Sequence, residues 1–283
     1  ASSGADPARG NTVNPGSVTV TGGGNPGLKP QKSEHTTYGI VGDVPKVKGL
    51  SVSADWFDNK YTDGFGSIGT ITDRVLYAPQ TITRGPNLPT DQAGWAGPIT
   101  AYDGRAVNIA SSRAVGYNVG LRYRRTTDWG SISFTSSGEK FLRDEQRVVP
   151  SSPLTATINK RYRPMRVTTS LFWSRDAWDA GLTHLYGGEY WADTTNATLA
   201  PSRFTDATSR WDVAVGYDFA NRSDMGGGKG ASWWRRALHN TKWRATIINV
   251  FDKEPPLDVR GFVSSSVIDP RLRRYVLDLT LRF

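Results

Sequence analysis

Cysteine is absent from all 283 residues, which excludes disulfides and thiolate metal sites. Histidine occurs three times, at His35, His184 and His239, without the i, i+4 spacing of a helical metal pair, so no metal and no cofactor is expected. Long apolar runs are missing too. Mean hydropathy is −0.47, and no window approaches the roughly 18 to 20 apolar residues of a membrane-crossing helix. That excludes a helical membrane protein. The net charge of +9 is spread along the chain and accompanies no nucleic-acid motif, so no nucleic-acid partner is expected. Nor does any nucleophile carry a recognisable base and orienting group, and the chain reads as a non-enzyme.

What the chain has is aromatic residues, turn formers and a period of two. From Arg273 to Phe283, Tyr275, Leu277, Leu279, Leu281 and Phe283 fall on one face and Arg274, Val276, Asp278, Thr280 and Arg282 on the other. This is a half-buried β-strand ending on an aromatic, as the closing strand of an outer-membrane barrel does. Such barrels escape hydropathy scans, because alternate residues face the lumen and each strand needs only about 9 to 11 residues. The aromatic content of 11% suits their interfacial girdles.

The same alternation marks further strands at residues 35–44, 50–57, 115–123, 131 onward, 167–173, 178–186, 211–219 and 243–251. The reading is all-β: an antiparallel transmembrane β-barrel portion of about nine strands. Residues 1–33 read as a flexible, extracellular loop segment and residues 34–283 as the barrel part. No signal peptide is visible ahead of the Gly, Pro and Asn-rich opening, so either one has been removed or the chain starts inside a longer protein. Short and long connections alternate, with residues 221–240 the exception. The long ones, at 63–104, 144–163, 189–208 and 252–272, are expected to face outside.

Three segments carry a family resemblance. Asn25-Pro26-Gly27-Leu28-Lys29-Pro30-Gln31, Asn249-Val250-Phe251-Asp252-Lys253-Glu254-Pro255-Pro256, and Asp269-Pro270-Arg271 through Phe283 resemble motifs of TonB-dependent outer-membrane receptors. Gln31 stands where the family has Glu, and Leu272 where it has Gly. The resemblance implies a plugged barrel of about 22 strands in the bacterial outer membrane, of which this chain supplies the last nine or so without the plug. It implies active uptake of a siderophore-iron complex, cobalamin or a carbohydrate-type nutrient. The partners implied are outer-membrane lipid, the remainder of the receptor (plug and N-terminal strands), TonB through that remainder, and the barrel-assembly machinery. Tyr275, Leu277, Leu279, Leu281 and Phe283 are the assembly signal so implied. The alternatives are a self-contained small outer-membrane barrel acting as an enzyme or adhesin, and a soluble β-sandwich.

Other features read more plainly. Gly64 to Gly69 matches G-x-G-x-x-G, but without a helical period behind it the match reads as an outer loop. Arg122, Arg124, Arg244, Arg274 and Arg282 fall on the lumenal face, as wet wall positions or as a basic wall for an anion. Trp56, Trp129, Trp173, Trp178, Trp211 and Trp243 are expected near strand ends as interface anchors. Trp95, Tyr102, Asp103, Arg105, Tyr190, Trp191, Arg260 and Phe262 are the outer-loop side chains expected to meet a ligand.

Overall fold

The computed structural model describes residues 5–109, 111–147, 151–156, 163–191, 204–221, 241–258, 261–262 and 269–281. Nine long strands form one antiparallel path in chain order: β1 (Lys32–Asp43), β2 (Leu50–Thr62), β3 (Ser112–Thr127), β4 (Gly130–Gln146), β5 (Met165–Arg175), β6 (Trp178–Gly187), β7 (Thr208–Asp218), β8 (Thr241–Ile248) and β9 (Arg274–Leu281). Every strand read from alternation is present. Three run further than their apolar period showed, because β2, β3 and β4 continue as polar ribbon toward the long connections.

Tight turns close the opposite end. Between β1 and β2, Gly49 takes φ +85, and a Cβ there would lie 1.9 Å from the Arg124 carbonyl oxygen, so only glycine fits. Asp176 turns β5 into β6 at φ 50, a left-handed conformation that Asp tolerates. The β7–β8 connection, residues 222–240, lies outside the described residues, as do His239, Arg282 and Phe283.

Register fixes what each face carries. Leu277, Ala245, Val215, Ala180, Trp173 and Ile132 align across β9, β8, β7, β6, β5 and β4, and beside them run Tyr275, Ile247, Val213, Leu182, Leu171 and Phe134. A one-residue slip would exchange these rows for the charged ones. Yet this apolar face meets no protein layer: Leu277 is 74% exposed and Ile40 of β1 is 77% exposed. Each such side chain forgoes about 1.5–3 kcal/mol if left in water. Hydrocarbon is the medium that removes that cost, and a soluble sandwich, which would have packed the face, is not what forms.

Trp243, Tyr217 and Trp178 stand side by side at the short-turn end, with Trp178 edge-on to Tyr217 at 4.7 Å and to Trp243 at 6.1 Å. The Trp173 indole donates to the Trp129 carbonyl in the neighbouring turn at 3.0 Å. Trp211 stacks on His184 at 4.2 Å, six residues along β6 from Trp178 toward the long connections. Trp56 departs from expectation: it sits mid-strand in β2, stacked on Tyr38 at 5.8 Å.

The chain divides into two compact units, one of Ala1–Thr36, Asp58–Val115 and Arg143–Thr157, the other of Thr37–Phe57, Gly116–Leu142 and Ile158–Phe283. The first holds a small sheet in which Thr19–Thr21 pairs in parallel with Ile99–Asp103, and Ile82–Arg84 pairs antiparallel with the same strand. A helix, α1 (Ile71–Tyr77), follows the Gly64 to Gly69 run, contrary to the reading of that run as helix-free loop. Thr70 caps it, accepting from the Asp73 amide at 3.0 Å. With the Asp73 carboxylate already at its first turn, the helix start is not an anion site.

Candidate functional site

In the first unit, buried ions do the work that an apolar core does elsewhere. Ile68 and Ala78, backed by Tyr77 and Val107, make only a small cluster. Asp6, with its side chain fully enclosed, takes Arg84 at 2.7 and 3.0 Å and also accepts from the Ala8 amide. Arg9 forms a two-pronged pair with Asp91, both about 4% exposed, and its guanidinium lies 5.3 Å from the Trp95 ring. Hydrogen bonding to Arg9 holds the Asp91 carboxyl below its usual range. Arg74 donates to the Ile68 and Asp103 carbonyls and lies 4.4 Å over Tyr102. Breaking a buried pair of this kind costs about 3–5 kcal/mol, so these residues decide whether the excursion holds its shape.

The expected ligand residues of this unit are thereby placed. Tyr102, Asp103 and Arg105 come together: Arg105 grips both Asp103 oxygens at 2.7–3.2 Å and lowers that carboxyl to about 2. Both side chains remain about one-third exposed. Trp95 stays half-buried against Arg9 and Gly10.

In the second unit the motif segments prove to be corners. Asn249, left-handed at φ 59, exchanges two side-chain hydrogen bonds with the Lys253 backbone at 2.9 and 3.0 Å, and its own amide donates to Asp212. Asp252 accepts from the Arg273 amide at 2.8 Å, which docks the start of β9. Asp269 binds Arg271 at 2.6 Å and Arg274 at 3.1 Å, and these cations push its carboxyl well below the ordinary range. Leu272 takes φ 60, which explains why a glycine suits this position. Asn249, Asp269 and Leu272 line a cleft of about 250 Å³ together with Thr208, Arg210 and Ile248.

On the charged face, Asp179 of β6 is met by Lys242 at 2.9 Å and Arg244 at 3.7 Å from β8. Gly216 of the intervening β7 lets that carboxylate reach across, since a Cβ there would sit 2.6 Å from it. Arg244 and Arg274 thus lie opposite the apolar face, as read, though each is paired with an acid. Arg163 is buried, donating to the Gly187 and Gly188 carbonyls and to Thr208. Its guanidinium lies 5.2 Å from the ring of Tyr190, itself only 6% exposed. Trp191 lies in a two-residue strand paired with Phe204, and Phe262 pairs with Leu257. The side chains of Trp191 and Phe262, and all of Arg260, lie outside the described residues.

Sequence reasoning missed Asp6, Arg9, Arg84, Asp91 and Arg163. Their partners lie tens of residues away and leave no local period. The helix had a signal, the Thr70-Ile71-Thr72-Asp73 capping pattern.

A lipid-compatible face backed by a wet, charged one along nine antiparallel strands defines a wall of an outer-membrane β-barrel. Residues 2–250 match the family model described as TonB dependent receptor-like, beta-barrel, and the chain belongs to that family. Its members are bacterial outer-membrane transporters, not enzymes. Among solved structures, the siderophore receptor PirA from Acinetobacter baumannii is similar at 17% identity and TM-score 0.59, over 93% of this chain and 33% of that one. A double mutant of the ferric enterobactin receptor PfeA from Pseudomonas aeruginosa is similar at 15% identity and TM-score 0.58, over 93% of this chain and 32% of PfeA. The outer-membrane transporter YddB from Escherichia coli is similar at 10% identity and TM-score 0.58, over 94% and 34%. The chain therefore spans about a third of the solved receptors it matches. No curated protein sequence matches it.

Proposed function

We propose that this chain forms part of the barrel wall and ligand-capture mouth of a receptor that takes up a scarce nutrient with energy from TonB. The long-connection end faces outside in this reading. The observation that carries it is the nine-strand antiparallel path with one unpacked apolar face, in a chain whose family is established. An iron chelate is the favoured cargo among siderophore-iron, cobalamin and carbohydrate-type nutrients. The support is that PirA is named a siderophore receptor and PfeA a ferric enterobactin receptor.

Trp95, Tyr102, Asp103 and Arg105 are the proposed ligand-facing group, since they keep exposed surface on a braced platform. Tyr190 is instead a wall for Arg163. The test is uptake of radiolabelled iron chelates by cells carrying the intact receptor, its deletion, or the receptor in a TonB-defective background. Uptake present only in the first supports the reading. Equal uptake in all three, across a panel that includes cobalamin and oligosaccharides, overturns it.

A further inference from the structure

Two carboxylates on the charged face of the second unit are held in the same way, and one of them has no cation. Asp179 of β6 leans over Gly216 of β7, where a Cβ would lie 2.9 Å from its carboxyl carbon, and reaches Lys242 and Arg244 on β8 at 2.9 and 3.7 Å. Gly216 pairs with Asp179 on one side and with Arg244 on the other, so acid, glycine and base stand in one row across three strands. Two inter-strand spacings, about 9.5 Å, can be bridged because the middle residue has no side chain.

Asp55 of β2 repeats the first two members of that row. The stack of Tyr38 on Trp56 and the hydrogen bond from the Val44 amide to the Leu50 carbonyl set Gly39 of β1 opposite Asp55. A Cβ on Gly39 would again lie 2.9 Å from the carboxyl carbon, so this carboxylate leans over the glycine as Asp179 does, toward the edge of β1 that no described strand covers. On that face β1 offers Thr37, Gly39 and Val41, and among the described residues no ion pair or side-chain hydrogen bond reaches Asp55. With β8 beside it, the Asp179 side chain is only 9% exposed. A strand laid along β1 would enclose Asp55 likewise, and a carboxylate enclosed without a cation is costly. Whatever covers this edge therefore has to bring a base.

We propose that the open edge of β1 takes an antiparallel strand of the remaining barrel carrying a Lys or Arg at the position opposite Gly39 or two residues from it, which closes on Asp55 across the glycine. That allowance is the one shown on β8, where Arg244 stands opposite Gly216 and Lys242 two residues away. The clasp fixes the register of the joint, since a slip of one residue would turn the base to the apolar face. The inference rests on the reading of this chain as part of a larger barrel wall and adds to it the charge and register of the neighbour.

The test uses the intact receptor in outer-membrane preparations. Ile40→Cys, in a chain with no cysteine of its own, is combined with single cysteines stepped along the strands of the remainder, and the disulfide that forms on oxidation identifies the residue facing Gly39. A Lys or Arg is expected there or two residues away. Asp55→Lys should speed unfolding in urea about tenfold, read by heat-modifiable migration, and changing that base to Asp in the same receptor should bring the rate back to within about twofold of wild type. Asp179→Lys with Lys242→Asp is the control swap, since its members are known. Should the reversed charge prevent folding, Asp55→Asn and the base changed to Gln, each about fivefold faster alone, should together be no faster than either. No base at those positions, additive effects of the two changes, or coupling of Asp55 to a plug residue instead overturns the inference. A disulfide without coupling sinks this inference alone, whereas no disulfide anywhere along the edge sinks the wall reading with it.

Discussion

Asp6 offers the sharpest test of how the first unit is held. Its side chain is fully enclosed, takes both terminal nitrogens of Arg84 and caps the Pro7–Arg9 turn through the Ala8 amide. Asp6→Ala removes all three and leaves the part-buried Arg84 with only the Gly97 carbonyl as partner, a loss of about 3–5 kcal/mol. At about 1.36 kcal/mol per decade, local opening should rise roughly 160- to 4,700-fold. Asp6→Asn keeps the cap acceptor and loses the charge, so its effect should fall between alanine and wild type. The assay is amide hydrogen exchange in the membrane-embedded receptor. Useful reporters are the amides of Gly85, Ala96 and Ile99, which donate to the Pro98 carbonyl, the Ala8 carbonyl and Asn14. As a control, the exposed pair of Lys60 with Glu34, at 3.7 Å, should be worth less than about 1 kcal/mol when Lys60 becomes alanine. Less than threefold faster exchange at all three reporters in Asp6→Ala would refute the claim that buried ions brace this unit.

Gly49→Ala should disrupt the β1–β2 turn, because its Cβ meets the Arg124 oxygen at 1.9 Å and its φ is positive; a loss above about 2 kcal/mol in folded yield or urea midpoint is expected. Leu272→Gly should be neutral to stabilising by up to about 1 kcal/mol, relief of left-handed strain being partly offset by unfolded-state entropy, and denaturant titration checks the sign. The Asp103 carboxyl, lowered first by its hydrogen bonds to Arg105, stabilises its turn above the unfolded pKa near 4 and loses that contribution as pH falls toward about 2. Carboxyl carbon shifts should accordingly show Asp103 still ionised at pH 3, and Arg105→Gln should raise its midpoint.

The strand path was legible because alternation is a local property that survives whatever lies beyond each face. Tyr275, Leu277 and Leu279 announce a two-sided ribbon before any partner strand is known, and register then follows from pairing like face with like. The polar ends of β2, β3 and β4 were illegible for the same reason: charged and hydroxyl residues there interrupt the apolar period of two. Asp6 and Arg84 are 78 residues apart, and nothing in either neighbourhood marks them as a pair. The candidate site was legible only by residue type. Among the expected ligand side chains, Asp103 and Arg105 already satisfy each other, and Tyr190 is enclosed beside Arg163.

The family motifs themselves turn out to be joints. Asn25 closes a turn on the Gly27 amide and donates to the Ala106 carbonyl, while Asn249 and Asp252 fasten the loop between β8 and β9. Left-handed corners at Asn249, Asp252 and Leu272 demand particular residue types whatever passes through the barrel. Sequence resemblance carried by such residues therefore reports how the wall is built and carries no information on cargo. Discrimination between nutrients has to come from side chains outside the corners, and in the function proposed above these are the part-exposed Trp95, Tyr102 and Arg105. Substituting Arg105 should change chelate affinity while leaving barrel assembly intact; substituting Asn249 should do the reverse. Flow of radiolabelled ligand and heat-modifiable migration, measured on both variants, separate the two roles.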